Sequence, residues 1–134
     1  MTTAITTFDC GGARIRARYR HLATVVTVRG DIGALNVDRV GEHLRRFILG
    51  DTPVVLDMSD VTGFAAAGIP LLSAFEDECR AAGVEWMLVP SPAVAALLGD
   101  EFPVTGSVQE ALRDLADAIV SRRQLVLPLV KKTA

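Results

Sequence analysis

Apolar β-type runs and segments of helical period alternate along most of this 134-residue chain, and no other feature limits its folding options as much. Arg14 to Arg20 alternates strictly, with Ile15, Ala17 and Tyr19 on one face and four arginines on the other, as a half-buried strand requires. Thr24-Val25-Val26-Thr27-Val28 is β-branched and reads as its hairpin partner. From Leu35 to Gly50 the period changes: Val37, Val40, Leu44, Phe47 and Ile48 share one helical face. Pro53-Val54-Val55-Leu56 is apolar without alternation, which suggests burial on both faces. A helix is expected over Gly68–Ala82, closed by Gly83, and a strand over Val84–Val89. Ser91 caps a short helix from Pro92 to Leu98, Phe102–Thr105 reads as a last short strand, and Ser107 with Glu110 forms a capping box. That final helix carries Val108, Ala111, Leu112, Leu115 and Ile119.

Strands separated by helices become parallel neighbours through crossover connections. The expected fold is α/β: a mixed, mostly parallel sheet, about four helices and an antiparallel N-terminal hairpin. Residues 1–12 read as a loose lead-in, 13–123 as the folded domain and 124–134 as a C-terminal tail. The tail, with Leu125 to Val130, is apolar enough to dock, and the chain itself or a second copy in a homodimer are both open as its target.

Composition narrows the function classes. Half the residues are hydrophobic and 22% are charged, a globular balance. No run approaches the roughly 20 apolar residues of a membrane span, and the N-terminus lacks the pattern of a signal peptide, so the cytoplasm is the expected location. A net charge of -2 gives no general attraction to nucleic acid or anionic lipid. Cys10 and Cys79 have neither metal-ligand nor CxxC spacing; two reduced thiols are the simpler reading, and a regulatory redox pair is the alternative.

In open α/β sheets, sites form where the carboxyl ends of strands meet helix N-termini. Here those loops are Gly30-Asp31-Ile32-Gly33, the stretch Asp57 to Gly68, and Pro90-Ser91-Pro92. None carries a phosphate-binding glycine motif, so no nucleotide, metal or other cofactor is expected. Ser59 has no base in prospect, because His21 lies in the hairpin turn and His43 in mid-helix. Asp57 and Asp60 could form an acid–base pair, yet aspartates after a strand more often serve turn chemistry. The expectation is a protein-binding module and not an enzyme. Arg14, Arg16, Arg18 and Arg20 read as the solvated face of a peripheral hairpin that discourages edge pairing, against the alternative of a basic binding stripe.

The stretch Asp57-Met58-Ser59-Asp60-Val61-Thr62-Gly63-Phe64-Ala65-Ala66-Ala67-Gly68-Ile69 resembles the signature D-L-S-G-V-x-F-I-D-S-S-G-L of STAS domains, the anti-sigma factor antagonist family. Val26 to Ile32 resembles the family's strand ending in G-E-L-D, and Ala82 to Val89 its G-x-x-L-x-L-V segment. The resemblance implies an antagonist that binds a histidine-kinase-like ATPase anti-sigma factor and frees a sigma factor for transcription. In phosphorylatable members, modification of a serine in D-S-S-G ends binding, and a phosphate at a helix start is stabilised by free N–H groups.

This chain departs from that pattern. Ala66 and Ala67 replace the serines, Ala65 replaces the acid before them, and Gly33 replaces the aspartate of G-E-L-D. Ala66 and Ala67 are thus a degenerate phosphorylation site, and an antagonist of this kind stays binding-competent. Its expected docking face is Asp31, Gly33, Ser59, Thr62, Ala66, Ala67 and Gly68. The rival reading is a structural or scaffolding STAS subunit of a stress-signalling complex or a lipid-transporting ABC system.

Overall fold

The structure, a computed structural model, describes residues 5–20 and 22–118. Five strands form one sheet: β1 (Ile5–Asp9), β2 (Ala13–Tyr19), β3 (Thr24–Ile32), β4 (Val54–Phe64) and β5 (Trp86–Pro90). They lie side by side in chain order. β1, β2 and β3 are antiparallel, while β3, β4 and β5 are parallel. Helix α1 (Val37–Arg45) carries the chain from β3 to β4, and α2 (Gly68–Ala82) from β4 to β5. A short α3 (Pro92–Ala95) follows, and residues 108–118 form α4.

The expected α/β architecture is present, with three corrections to its parts. Ile5–Asp9, assigned to a loose lead-in, is a strand paired along its length with β2. Its sequence carries no clean alternation, so its order comes from a ready-made partner edge and from Phe8, which stacks on His43 of α1 at 4.2 Å between centroids. The N-terminal hairpin is therefore a three-stranded meander, and β2 is an interior strand. Second, most of the stretch expected as a loop after Leu56 is strand: β4 runs on to Phe64, with register shifts against β3 at Thr27/Arg29 and Gly30/Asp31. Such irregularities admit extra residues and disguise the period-two signal. Third, α1 and α3 are shorter than their apolar periodicity suggested, and the expected strand at Phe102–Thr105 is a single parallel bridge of Val104 to Leu88. Ile119 and the Leu125–Val130 tail lie outside the described residues.

Each sheet face has its own core. On one face Ile15, Val26, Val28, Leu56, Met58 and Leu88 pack under α1 and α2, which contribute Val40, Leu44, Leu72 and Phe75. Complete burial of such side chains is worth about 1.5–3 kcal/mol each. On the other face α4 lays Ala111 and Leu115 over Val25, Val55 and Val89. Ser91 caps α3 by accepting from Val94 N–H at 3.2 Å, and Ser107 accepts from Glu110 N–H at 3.1 Å, as their spacing predicts.

Candidate functional site

The carboxyl ends of β3 and β4 and the starts of α1 and α2 converge at one edge. Asn36, only 7% exposed, organises the β3 side. Its Nδ2 donates to Gly11 O at 3.1 Å and Asp31 O at 2.8 Å, while its Oδ1 accepts from Gly33 N–H at 2.9 Å. One amide thus ties the β1–β2 turn to the β3–α1 loop. Gly30 makes the approach possible: at φ +98° a Cβ would lie 2.3 Å from Gly12 O, and the neighbouring Asp31 N–H donates to that same oxygen at 2.8 Å.

On the β4 side, Thr62 Oγ1 donates to Asp31 Oδ1 at 2.9 Å, across the parallel pairing that sets Asp31 beside Gly63. A Cβ on Gly63 would come within 2.6 Å of that carboxylate oxygen, so glycine keeps the Asp31–Thr62 pair intact. Ala65 N–H donates to Ile32 O at 3.0 Å, which sets the turn into α2 against the end of β3. Gly68 N–H bonds Ala65 O and Ile69 N–H bonds Ala66 O, so the first helical turn already includes the alanines. Ala67 has φ -60° and ψ -19°, and no side chain caps this helix. Gly68 is held small by the Phe64 ring, which a Cβ would meet at 2.3 Å.

The geometry gathers Asp31, Gly33, Thr62, Ala66, Ala67 and Gly68 around this edge. Ser59 engages elsewhere: its Oγ donates to Asp57 Oδ1 at 2.6 Å and its N–H to the same oxygen at 3.0 Å, a local turn motif in β4. Asp60 pairs with Arg29 at 3.3 Å, so Asp57 and Asp60 serve separate partners rather than one acid–base pair. Two residues of the site escaped the sequence reading. Asn36 directly precedes the helical period, where an N-cap residue is favoured, and that signal was available. Leu35 was absorbed into the expected helix; it is in fact fully exposed in the loop before α1, and nothing in its apolar character announces that. Beyond it, α1 and α2 leave an open groove lined by Val37, Gly41, Arg45, Ala67, Pro70 and Leu71.

Ala65 and Ala66 are exposed and carry no hydroxyl. His43 stacks on Phe8 of β1. Cys10 and Cys79 are free and buried. Burial pushes both thiols up, Cys79 to about 12 with Glu76 and Glu78 adding to the effect. A thiol held protonated is a poor nucleophile. Among the described residues no cluster of three or more metal-ligating side chains occurs, and no helix is long and apolar enough to cross a membrane.

Comparison with known proteins places this geometry in context. The STAS domain family matches residues 14–116. Osmosensory protein A of Mycobacterium tuberculosis is 55% identical over 135 aligned residues, covering 94% of this chain and 85% of the relative. An anti-sigma factor antagonist from Mycobacterium paratuberculosis superposes with a TM-score of 0.63 at 20% identity, over 84% of this chain and 95% of that one. The anti-sigma factor antagonist SpoIIAA in its unphosphorylated form gives 0.57 at 13% identity, over 85% and 98%. These two structures share the fold.

Proposed function

The chain belongs to the STAS domain family, and from that premise we propose that it is an anti-sigma factor antagonist that docks through the β3–α1 loop and the start of α2. The observation that carries this reading is the pairing of a fully exposed Leu35 with a neutral, hydroxyl-free helix start at Ala65-Ala66-Ala67. A large apolar side chain presented on a loop fixed by Asn36 costs little ordering entropy when it enters a partner's pocket. The partner is a histidine-kinase-like ATPase anti-sigma factor, whose capture frees a sigma factor and so regulates transcription in the cytoplasm. The name of the 55%-identical relative supports an osmotic stimulus as the setting.

Alanine at positions 66 and 67 matches an unmodified serine in size and neutrality, so docking here is permanently enabled and is governed by the amount of protein. The docking face is Asp31, Gly33, Leu35, Thr62, Ala66, Ala67 and Gly68, without Ser59, whose hydroxyl is turned to Asp57. The test is calorimetric titration of the chain against the ATPase-type anti-sigma factors of its own genome, with ATP present. Binding by one of them, weakened about tenfold or more by Ala67→Asp and by Leu35→Asp, is the expected result. Phosphate incorporation at the docking face overturns the unregulated state, and absence of binding to any of them overturns the antagonist role in favour of a scaffolding subunit.

A further inference from the structure

The arginines of β2 need a new explanation once the strand order is known. Edge protection is not available to them, because β1 covers the free edge of β2 and carries no arginine itself. Arg14, Arg16 and Arg18 project together from the sheet face opposite α1 and α2, alternating with buried Ala13, Ile15 and Ala17. On β3 the same face continues through Thr27 and Arg29, and Arg14 stands directly opposite Arg29 in the ladder. Like charges directly opposed across strands are destabilising. Arg29 is offset by Asp60 in an ion pair whose side chains are 58% and 54% exposed. Arg14, Arg16 and Arg18 form no ion pair among the described residues, and the nearest acid in the ladder, Asp9, turns its carboxylate to Gly11 N–H.

Among the described residues, α4 covers the Val25, Val55 and Val89 part of this face and none covers the arginine part. The described part is hollow: one depression lies between Arg14 and Arg29, with Asp9 and Gly12 on its wall, and another among Arg16, Arg18, Thr27 and Arg29, with Asp60 on its wall. Arginines outnumber acids in both, and each acid is already engaged, Asp9 by Gly11 N–H and Asp60 by Arg29. We propose that this trough binds an extended acidic segment of a partner protein, at a site separate from the start of α2. Alternate residues of a strand repeat about every 7 Å, so a row of arginines at that spacing matches alternate carboxylates on a second extended chain. Guanidinium groups pair with carboxylates in bidentate geometry, which gives orientation as well as attraction. A single nucleic-acid strand fits less well, since the face offers no aromatic ring for base stacking. An anionic bilayer fits less well too, since the surface is hollow.

The experiment is fluorescence anisotropy of a short labelled peptide alternating glutamate with threonine, titrated with the full chain at low and physiological salt. The triple variant Arg14→Gln, Arg16→Gln, Arg18→Gln and the single variant Arg16→Glu are compared with Arg39→Gln, an exposed arginine on α1; circular dichroism confirms folding of each. Binding that is salt-sensitive, falls at least about tenfold in both β2 variants, survives Arg39→Gln and is absent for the glutamine-threonine peptide is the expected result. Equal binding by wild type and folded β2 variants overturns the proposal. So does tighter binding of oligothymidine, or of phosphatidylserine-containing vesicles, than of the acidic peptide.

Discussion

Two helices start side by side at the candidate site, and they are built in opposite ways. The start of α1 is fastened by Asn36, whose amide makes three hydrogen bonds spanning β1–β2, β3 and the loop. The start of α2 has no side-chain cap, and its first turn is three alanines, two of them exposed. The contrast separates scaffold from contact surface. Local polar bonds fix the loop that presents Leu35, whereas α2 is held from behind by its buried stripe of Leu71, Leu72, Phe75 and Cys79. A helix anchored along its length can leave its first turn free of capping groups, and a first turn without polar side chains offers a partner few groups to desolvate.

The comparison can be broken most sharply at Gly30. Replacement by valine places a side chain at positive φ and against Gly12 backbone, and a loss of about 3 kcal/mol or more in urea unfolding is expected. A loss below about 1 kcal/mol would show that the β1–β2 turn is not fastened to β3 in this way. Asn36→Ala removes all three amide bonds and leaves part-buried backbone groups without them, so a loss of about 1–2 kcal/mol is expected, with faster hydrogen exchange at Gly33 and Asp31.

The rear anchoring of α2 is tested by pH. The Cys79 thiol ionises near 9.0 when unfolded and at about 12 when folded, so the unfolded chain loses its proton first. Stability contributed by the buried thiol is therefore complete below pH 9 and declines through the interval to about 12, on the order of 1 kcal/mol for each unit. Denaturation midpoints across that range should fall less steeply in Cys79→Ala; identical slopes would remove Cys79 from the anchoring. The smallest effect concerns the missing cap. Ala65→Asp supplies an acceptor and a negative charge at the first turn of α2, and a gain of about 0.5–1 kcal/mol in stability is expected from thermal unfolding. A measurable loss would mean that the alanines are needed for packing rather than merely left bare.

Much of this arrangement is legible in the chain. The helix at Gly68–Ala82, the caps at Ser91 and Ser107 and the buried run at Val54–Leu56 all follow from period and local chemistry, because each depends on residues within a turn of one another. Asp31, Gly33 and Thr62 were legible as neighbours through the resemblance and the carboxyl-edge rule, and Asp31 and Thr62 do share a hydrogen bond. Ser59 was not separable from them, since its bond to Asp57 depends on the irregular course of β4.

By itself the sequence determined the α/β order of the main strands and helices from β2 onward, which of their faces are apolar, and that no hydroxyl stands at Ala66 and Ala67. Only the tertiary structure decided that Ile5–Asp9 is a strand, that Leu35 is fully exposed and that the arginines of β2 face an open trough behind a covered edge. The physical reason is range. Periodicity and capping are settled between residues a few positions apart, whereas strand pairing and exposure depend on neighbours the fold brings from elsewhere in the chain.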